Sequence, residues 1–380
     1  MPRVVMISNF INHHQIPFCE EMAKLLGDGF YFIQTEPMEK EREAMGWAVD
    51  ESNIPYLRLL YKDEEECKRL IDECDMLLVG WQDREDIILP RIQKGKLTLR
   101  ISERIYREGQ WKAISPRGLI RKYKEHIRFR NKDNVFLLCN GAYVASDFNL
   151  IGAYPNRKFK FGYFPAFREC DLTKKPSKDV IEIIWAGRFI ELKHPEYVIR
   201  LAADLIDNGY DFRIHMIGSG PMEDALKNSV REGELEDNVI FYGFIKPEEV
   251  RDVMDKCHIH LFTSNYLEGW GAVVNEGMNS GLAEVVCREV GAAPYLIKDG
   301  ENGLLYDGSY EDLNRKVFSL MDDISLMEKL GKNAYETIAT LWNPSNAAKQ
   351  LIRFYENYID KKIDPPKEGP MSVAEDIKPV

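Results

Sequence analysis

Two carboxylates frame a glycine loop in this sequence. The stretch Leu267-Glu268-Gly269-Trp270-Gly271-Ala272-Val273-Val274-Asn275-Glu276-Gly277-Met278 follows a short apolar run, Ile259–Phe262, and opens a helical pattern. Gly269 and Gly271 permit tight backbone turns with no side chain in the way. The amides of residues 270–273 then point outward beside the positive end of a helix dipole, an anion site suited to a diphosphate. Glu276, one turn inside the helix, is spaced to accept two hydrogen bonds from a ribose diol. Glu268, before the loop, is placed to reach a sugar hydroxyl. The plain alternative for Glu276 is a helix-start carboxylate with no ligand.

A second cluster reads Trp185-Ala186-Gly187-Arg188-Phe189-Ile190-Glu191-Leu192-Lys193-His194-Pro195, between an apolar run and a helix with Pro near its start. Arg188 offers a planar fork to a phosphate and Lys193 a point charge. Five residues apart across a loop, both can turn toward one diphosphate. The alternative is surface pairing with Glu191. Two weaker signals accompany them. Gly218-Ser219-Gly220-Pro221 has the start of a dinucleotide loop but carries Glu223 where a third glycine belongs, which argues against a dinucleotide fingerprint. In Gly243-Phe244-Ile245 the backbone is placed to meet a nucleobase.

From about Ile181 to Asp307 these pieces together resemble the nucleotide-sugar domain of glycosyltransferase family four, with the GT-B fold. The resemblance implies that Arg188 and Lys193 hold the donor diphosphate, with Gly187 and Gly218 in the adjoining loops. It implies that the backbone of Ile245 meets the base and Glu276 the ribose. Glu268, Gly269 and the backbone of Trp270, Gly271, Ala272 and Val273 would hold the sugar and phosphate. It further implies retention of anomeric configuration by front-face attack, with Arg188, Lys193 and Glu268 closest to the chemistry. The donor would be a UDP- or GDP-sugar, a substrate rather than a cofactor, and no cofactor is expected.

The N-terminal half follows the family less closely. The turn after the first strand reads Asn9-Phe10-Ile11-Asn12-His13-His14-Gln15, where a Gly-Gly is common, and a middle strand ends Ile101-Ser102-Glu103-Arg104, where a His is common. His13, His14, Glu103 and Arg104 are the acceptor-side candidates, with solvent-exposed polar groups as the alternative. This pattern is similar to a bacterial surface-polysaccharide branch. His258-x-His260 has no third ligand nearby, and no Asp-x-Asp stands in a loop, so no metal is expected.

The elements that must position these residues are short apolar runs alternating with amphipathic stretches over 380 residues, the pattern of βα units on parallel sheets. A polar, Pro-bearing break at Glu169–Lys178 divides them. The expectation is an α/β, GT-B chain of two Rossmann-like domains facing a central cleft. An acceptor domain spans 1–170, and a helix at 343–360 crosses back to it. A donor domain spans 178–341, and 361–380 is a disordered tail.

Seven scattered cysteines with no Cys-x-x-Cys fit a reducing cytoplasm. No run approaches the roughly 18 apolar residues of a membrane helix. The net charge is −11, yet Arg91–Lys132 holds 14 Lys or Arg against three acids, a local +11. A basic patch on an acidic chain argues against general nucleic-acid binding and for a specific anionic partner. Residues 117–132 read as an amphipathic helix that could lie on an anionic membrane, which suits a lipid-linked acceptor; a solvated face is the alternative. Competing readings are a GT-B nucleotide-sugar epimerase, a non-catalytic GT-B subunit and a periplasmic sugar-binding protein.

Overall fold

The computed structural model describes residues 1–38 and 49–379. They form two compact units: Met1–Ala166 with Asn343–Pro379, and Phe167–Trp342. The first unit is built on seven parallel strands, β1 (Val4–Ser8), β2 (Phe30–Gln34), β3 (Leu57–Leu59), β4 (Met76–Val79), β5 (Leu97–Ser102), β6 (Val135–Asn140) and β7 (Lys158–Phe161), in the order 3-2-1-4-5-6-7. The second has six, β8 (Ile181–Ala186), β9 (Phe212–Ile217), β10 (Val239–Gly243), β11 (Ile259–Phe262), β12 (Ala283–Cys287) and β13 (Leu304–Tyr306), in the order 10-9-8-11-12-13. Every pairing within both sheets is parallel.

Strand composition explains the layering. β4 (Met-Leu-Leu-Val) and β6 (Val-Phe-Leu-Leu-Cys-Asn) are buried along their whole length, as strands covered by helices on both faces must be. The strand order reverses once in each sheet, between β1 and β4 and between β8 and β11. There the loops leave in opposite directions and open a crevice at the carboxyl ends of the strands. In the second unit the two loops at that point are those carrying the Arg188–Lys193 and Glu268–Gly271 residues.

Several expectations change. β3 and β7 are additional strands; β3 is a three-residue edge, whereas the Lys-Phe-Lys-Phe alternation of β7 is a legible period-two signal. The second unit begins at Phe167. The expected helix over 117–132 stops at Glu125, and a 3-10 turn follows at Ile127–Phe129. The segment 361–380 is not a free tail over its described residues. Lys160 N–H donates to Ser372 O at 2.7 Å, Met371 N–H to Lys160 O at 2.8 Å and Ala374 N–H to Lys158 O at 3.0 Å. With Met371 and Ser372 buried, the backbone satisfies the open edge of β7, which composition alone does not disclose. The Pro344–Ile359 helix packs on the Ile16–Leu26 helix within the first unit.

Candidate functional site

The loop after β8 and the loop after β11 are laced together. Asn265 N–H donates to Leu192 O at 2.9 Å, and Thr263 Oγ1 donates to Lys193 O while accepting from Trp185 Nε1 at 2.8 Å. His194, in the left-handed region at φ 44°, brings Nε2 within 3.3 Å of Asn265 Nδ2. These contacts place Lys193 Nζ 2.7 Å from Glu268 Oε2, with both side chains largely buried. Lys193 therefore pairs with Glu268, not with its sequence neighbour Glu191. Arg188 is exposed and has no ion pair among the described residues, so its guanidinium is available to an anion.

Glycines bring three loops to the carboxyl end of the sheet. Gly218 has φ +130°, and a Cβ there would lie 1.9 Å from Gly187 O. Its N–H donates to Gly243 O at 2.9 Å, and Phe189 N–H donates to Ser219 O at 2.9 Å. The Gly218-Ser219-Gly220 turn thus supports the Gly187–Phe189 loop backbone to backbone, a packing role with no need for the missing third glycine. Ile245, partly buried, packs against the core cluster of Ile184 and Ala186.

Gly271 opens the Ala272–Asn279 helix at φ 86°. A Cβ would meet Phe262 at 2.8 Å and Val290 at 3.1 Å, so both conformation and space demand glycine. Gly269 stands two residues earlier in the same loop. The amides of residues 270–273 have no backbone carbonyl partner among the described residues. Trp270 turns its indole inward, donating to Asn275 Oδ1 at 2.8 Å beside Tyr295 and Trp342. That leaves its backbone to the loop, next to Ala272 and Val273. The helix ends at Gly281 (φ +68°), where Leu282 N–H reaches Gly277 O at 3.1 Å and closes the last turn.

Burial pushes the Glu276 carboxyl above the usual carboxylate range, opposed by Arg251 and His260. Arg251, itself 6% exposed, donates to Asn279 Oδ1 at 2.6 Å. It is a residue the motifs do not reveal, since it lies in another helix, Pro247–Met254. Beneath the helix, His260 and Glu284 face each other across β11 and β12, Nδ1 to Oε2 2.7 Å, both fully buried. A Cβ on Gly277 would come 2.2 Å from Glu284 Oε1, so this glycine lets the helix lie on the pair. His258 is engaged elsewhere, accepting from Glu182 N–H at 3.0 Å and approaching Pro176 O at 3.2 Å. Among the described residues there is no cluster of three or more His, Cys, Asp or Glu suited to a metal, and no helix long and apolar enough to cross a membrane.

In the first unit three of the four candidate residues come together and Arg104 turns away. The His13 and His14 rings lie 3.9 Å apart between centroids, tilted by 48°, with the Tyr163 ring 5.7 Å from His14. Tyr163 donates to Glu103 Oε1 at 3.1 Å, and Glu103 also pairs with Arg107. His14, Tyr163 and Glu103 thus converge from the loops after β1, β7 and β5. Arg104 departs from the expectation of a displayed side chain: it is buried against Asp147 at 3.4 Å and stacks over Tyr143. Asp147, fully buried, also accepts from Tyr106 N–H and Gln110 Nε2, and it needs that cation.

Residues 171–337 match the family model for glycosyl transferases group 1. The second unit is a group 1 glycosyltransferase domain. This domain is 28% identical over 174 residues to the alpha-D-kanosaminyltransferase of Streptomyces kanamyceticus, 46% of this chain and 45% of the relative. It is 28% identical over 188 residues to the D-inositol 3-phosphate glycosyltransferase of Corynebacterium aurimucosum, 48% and 44% of the two. The chain thus spans about half the length of the curated relatives it matches. Structurally it is similar to HepE of Anabaena in complex with UDP, at TM-score 0.69 and 14% identity over 94% of this chain and all of that one. It is similar also to WaaG, a glycosyltransferase involved in lipopolysaccharide biosynthesis, at TM-score 0.59 and 14% identity over 91% and 98%. These likenesses, with the two doubly wound parallel sheets, establish the GT-B fold around the group 1 domain.

Proposed function

We propose that this protein moves a sugar from a nucleoside-diphosphate sugar to a glycan or lipid-linked acceptor in cell-surface polysaccharide synthesis, with retention at the anomeric carbon. The reading assigns the work to the cytoplasm. The observation that carries it is the joining, at the strand-order reversal, of Arg188, the Lys193–Glu268 pair and the Gly271 helix start, with Glu276 one turn on. The presence of UDP in the HepE structure agrees with it.

In this reading the leaving nucleoside diphosphate gathers charge as the sugar–phosphate bond breaks. Arg188, Lys193 and the amides of residues 270–273 meet that charge with fixed positive groups and need no metal. Lys193 holds Glu268 oriented for a sugar hydroxyl, while Glu276 receives the ribose. The leaving phosphate assists deprotonation of the acceptor on the same face. The test is incubation of the full chain with UDP- and GDP-sugars, following free sugar and nucleoside diphosphate with and without glycan acceptors. Slow hydrolysis with one donor, abolished by both Lys193→Ala and Glu276→Ala in folded protein, is the expected result. Near-normal turnover in both variants, or epimer formation without acceptor, overturns it.

A further inference from the structure

The Pro116–Glu125 helix is turned the wrong way round for a soluble protein. It buries none of its residues. Its apolar side chains share one side and face solvent: Leu119 is 39% exposed, Ile120 61% and Tyr123 57%. The 3-10 turn that feeds it, Gln110–Ile114, adds Trp111 at 68% and Ile114 at 81%. An amphipathic helix ordinarily hides that side, and a contiguous exposed apolar surface marks a contact.

The charges around it are predominantly basic. Arg117, Arg121, Lys124 and Arg128 line an open notch with Ile120 and Leu89. The acids at its rim are already engaged. Glu85 is held by both ends of the Arg100 guanidinium at 2.8 Å, and Glu125 accepts from Arg121 at 2.7 Å. Arg117 and Lys124 have no ion-pair partner among the described residues.

We propose that this helix and the turn before it dock the protein on an anionic lipid bilayer, the apolar side chains entering the headgroup boundary and the basic ones meeting lipid phosphates. Aromatic side chains at an interface, flanked by long cations that outnumber the nearby acids, are the chemistry that such a boundary selects. A second copy of the chain is disfavoured as occupant, because a two-fold contact would set the same basic surface against itself. The acidic remainder of the chain, −22 outside Arg91–Lys132, is repelled by the bilayer and orients the basic face toward it.

Flotation of the full chain with phosphatidylglycerol–phosphatidylcholine vesicles, and with phosphatidylcholine alone, tests this at low and physiological salt. The readout is lipid binding, so it stands whether or not sugar transfer is found. The protein should float with the anionic vesicles only. Arg117→Glu with Lys124→Glu should lower the bound fraction more than about tenfold, since each basic side chain near an anionic surface is worth about fivefold. Ile120→Ser with Tyr123→Ser, changes at exposed positions that leave the fold intact, should abolish the part that survives physiological salt. Equal binding to both vesicle types overturns the proposal, as does salt-resistant binding by the apolar variant. So does a stable dimer by sedimentation with no flotation.

Discussion

The carboxyl ends of the two sheets combine backbone and side-chain contacts in different proportions. In the group 1 domain the loops are held by backbone. Gly218 touches Gly187 O, Gly271 fits between Phe262 and Val290, and Thr263 and Asn265 bond the 192–193 carbonyls. In the first unit backbone also joins the loops after β1, β2 and β4, Asn9 N–H donating to Trp81 O and the Thr35 and Glu36 N–H groups to Asn9 O, while side-chain pairs are added around β5–β7: Arg104 on Asp147 and Tyr163 on Glu103. Close approaches at a left-handed backbone position, as at Gly218 and Gly271, demand glycine, whereas side-chain pairs can be met by many combinations. The loops around Gly218 and Gly271 are therefore constrained in spelling, and the side-chain pairs of the first unit are freer to vary.

The largest effect that would break this comparison is at Gly218. A methyl group there meets a carbonyl at 1.9 Å in a left-handed backbone, so Gly218→Ala should cost about 3 kcal/mol or more. Denaturant unfolding checks it, and stability within about 0.5 kcal/mol of the parent would show that the loops are not backbone-held. Next is Lys193→Ala, which should lower kcat with the preferred donor by about 10²–10³ while thermal stability changes little. A rise in KM alone would limit Lys193 to binding.

In the first unit, Arg104→Ala should instead lower stability by about 2 kcal/mol, because Asp147 stays buried with its neutral partners only. The KM for donor should be unchanged. A selective loss of acceptor turnover with stability intact would return Arg104 to the acceptor site.

The smallest effect is the pH response. Burial and then His13 hold His14 down at about 3, and burial with Arg100 keeps His126 well below its ordinary value. Both stay neutral in the fold, while in the unfolded chain they take protons below about pH 6.5. The stability they leave intact above that pH is lost as pH falls, by up to about 1.4 kcal/mol per pH unit for each ring. His14→Asn should flatten the profile between about pH 6.5 and pH 5. An unchanged slope would show that His14 titrates normally.

How legible the molecule was follows from the same contrast. Hydrophobic periodicity places eleven of the strands and nearly all the long helices, because parallel strands buried on both faces leave no freedom in their composition. The short edge β3 and the β7 strand escaped that reading, as did the docking of 369–374. Edge pairing is satisfied by backbone groups that every residue carries.

The sequence by itself determined the spelling of the glycine loops of the second unit, because glycine at a left-handed or crowded position has no substitute. It also determined their place after successive strands. Only the tertiary structure decided which charges meet. Lys193 was free to choose Glu191 or Glu268, and the Asn265–Leu192 hydrogen bond settles on Glu268, 75 residues away. Arg251 reaches the Glu276 helix from another helix, and Arg104 leaves its expected post for Asp147. Pairing of charges depends on distances through space, which follow from packing the whole sheet and not from neighbours in the chain.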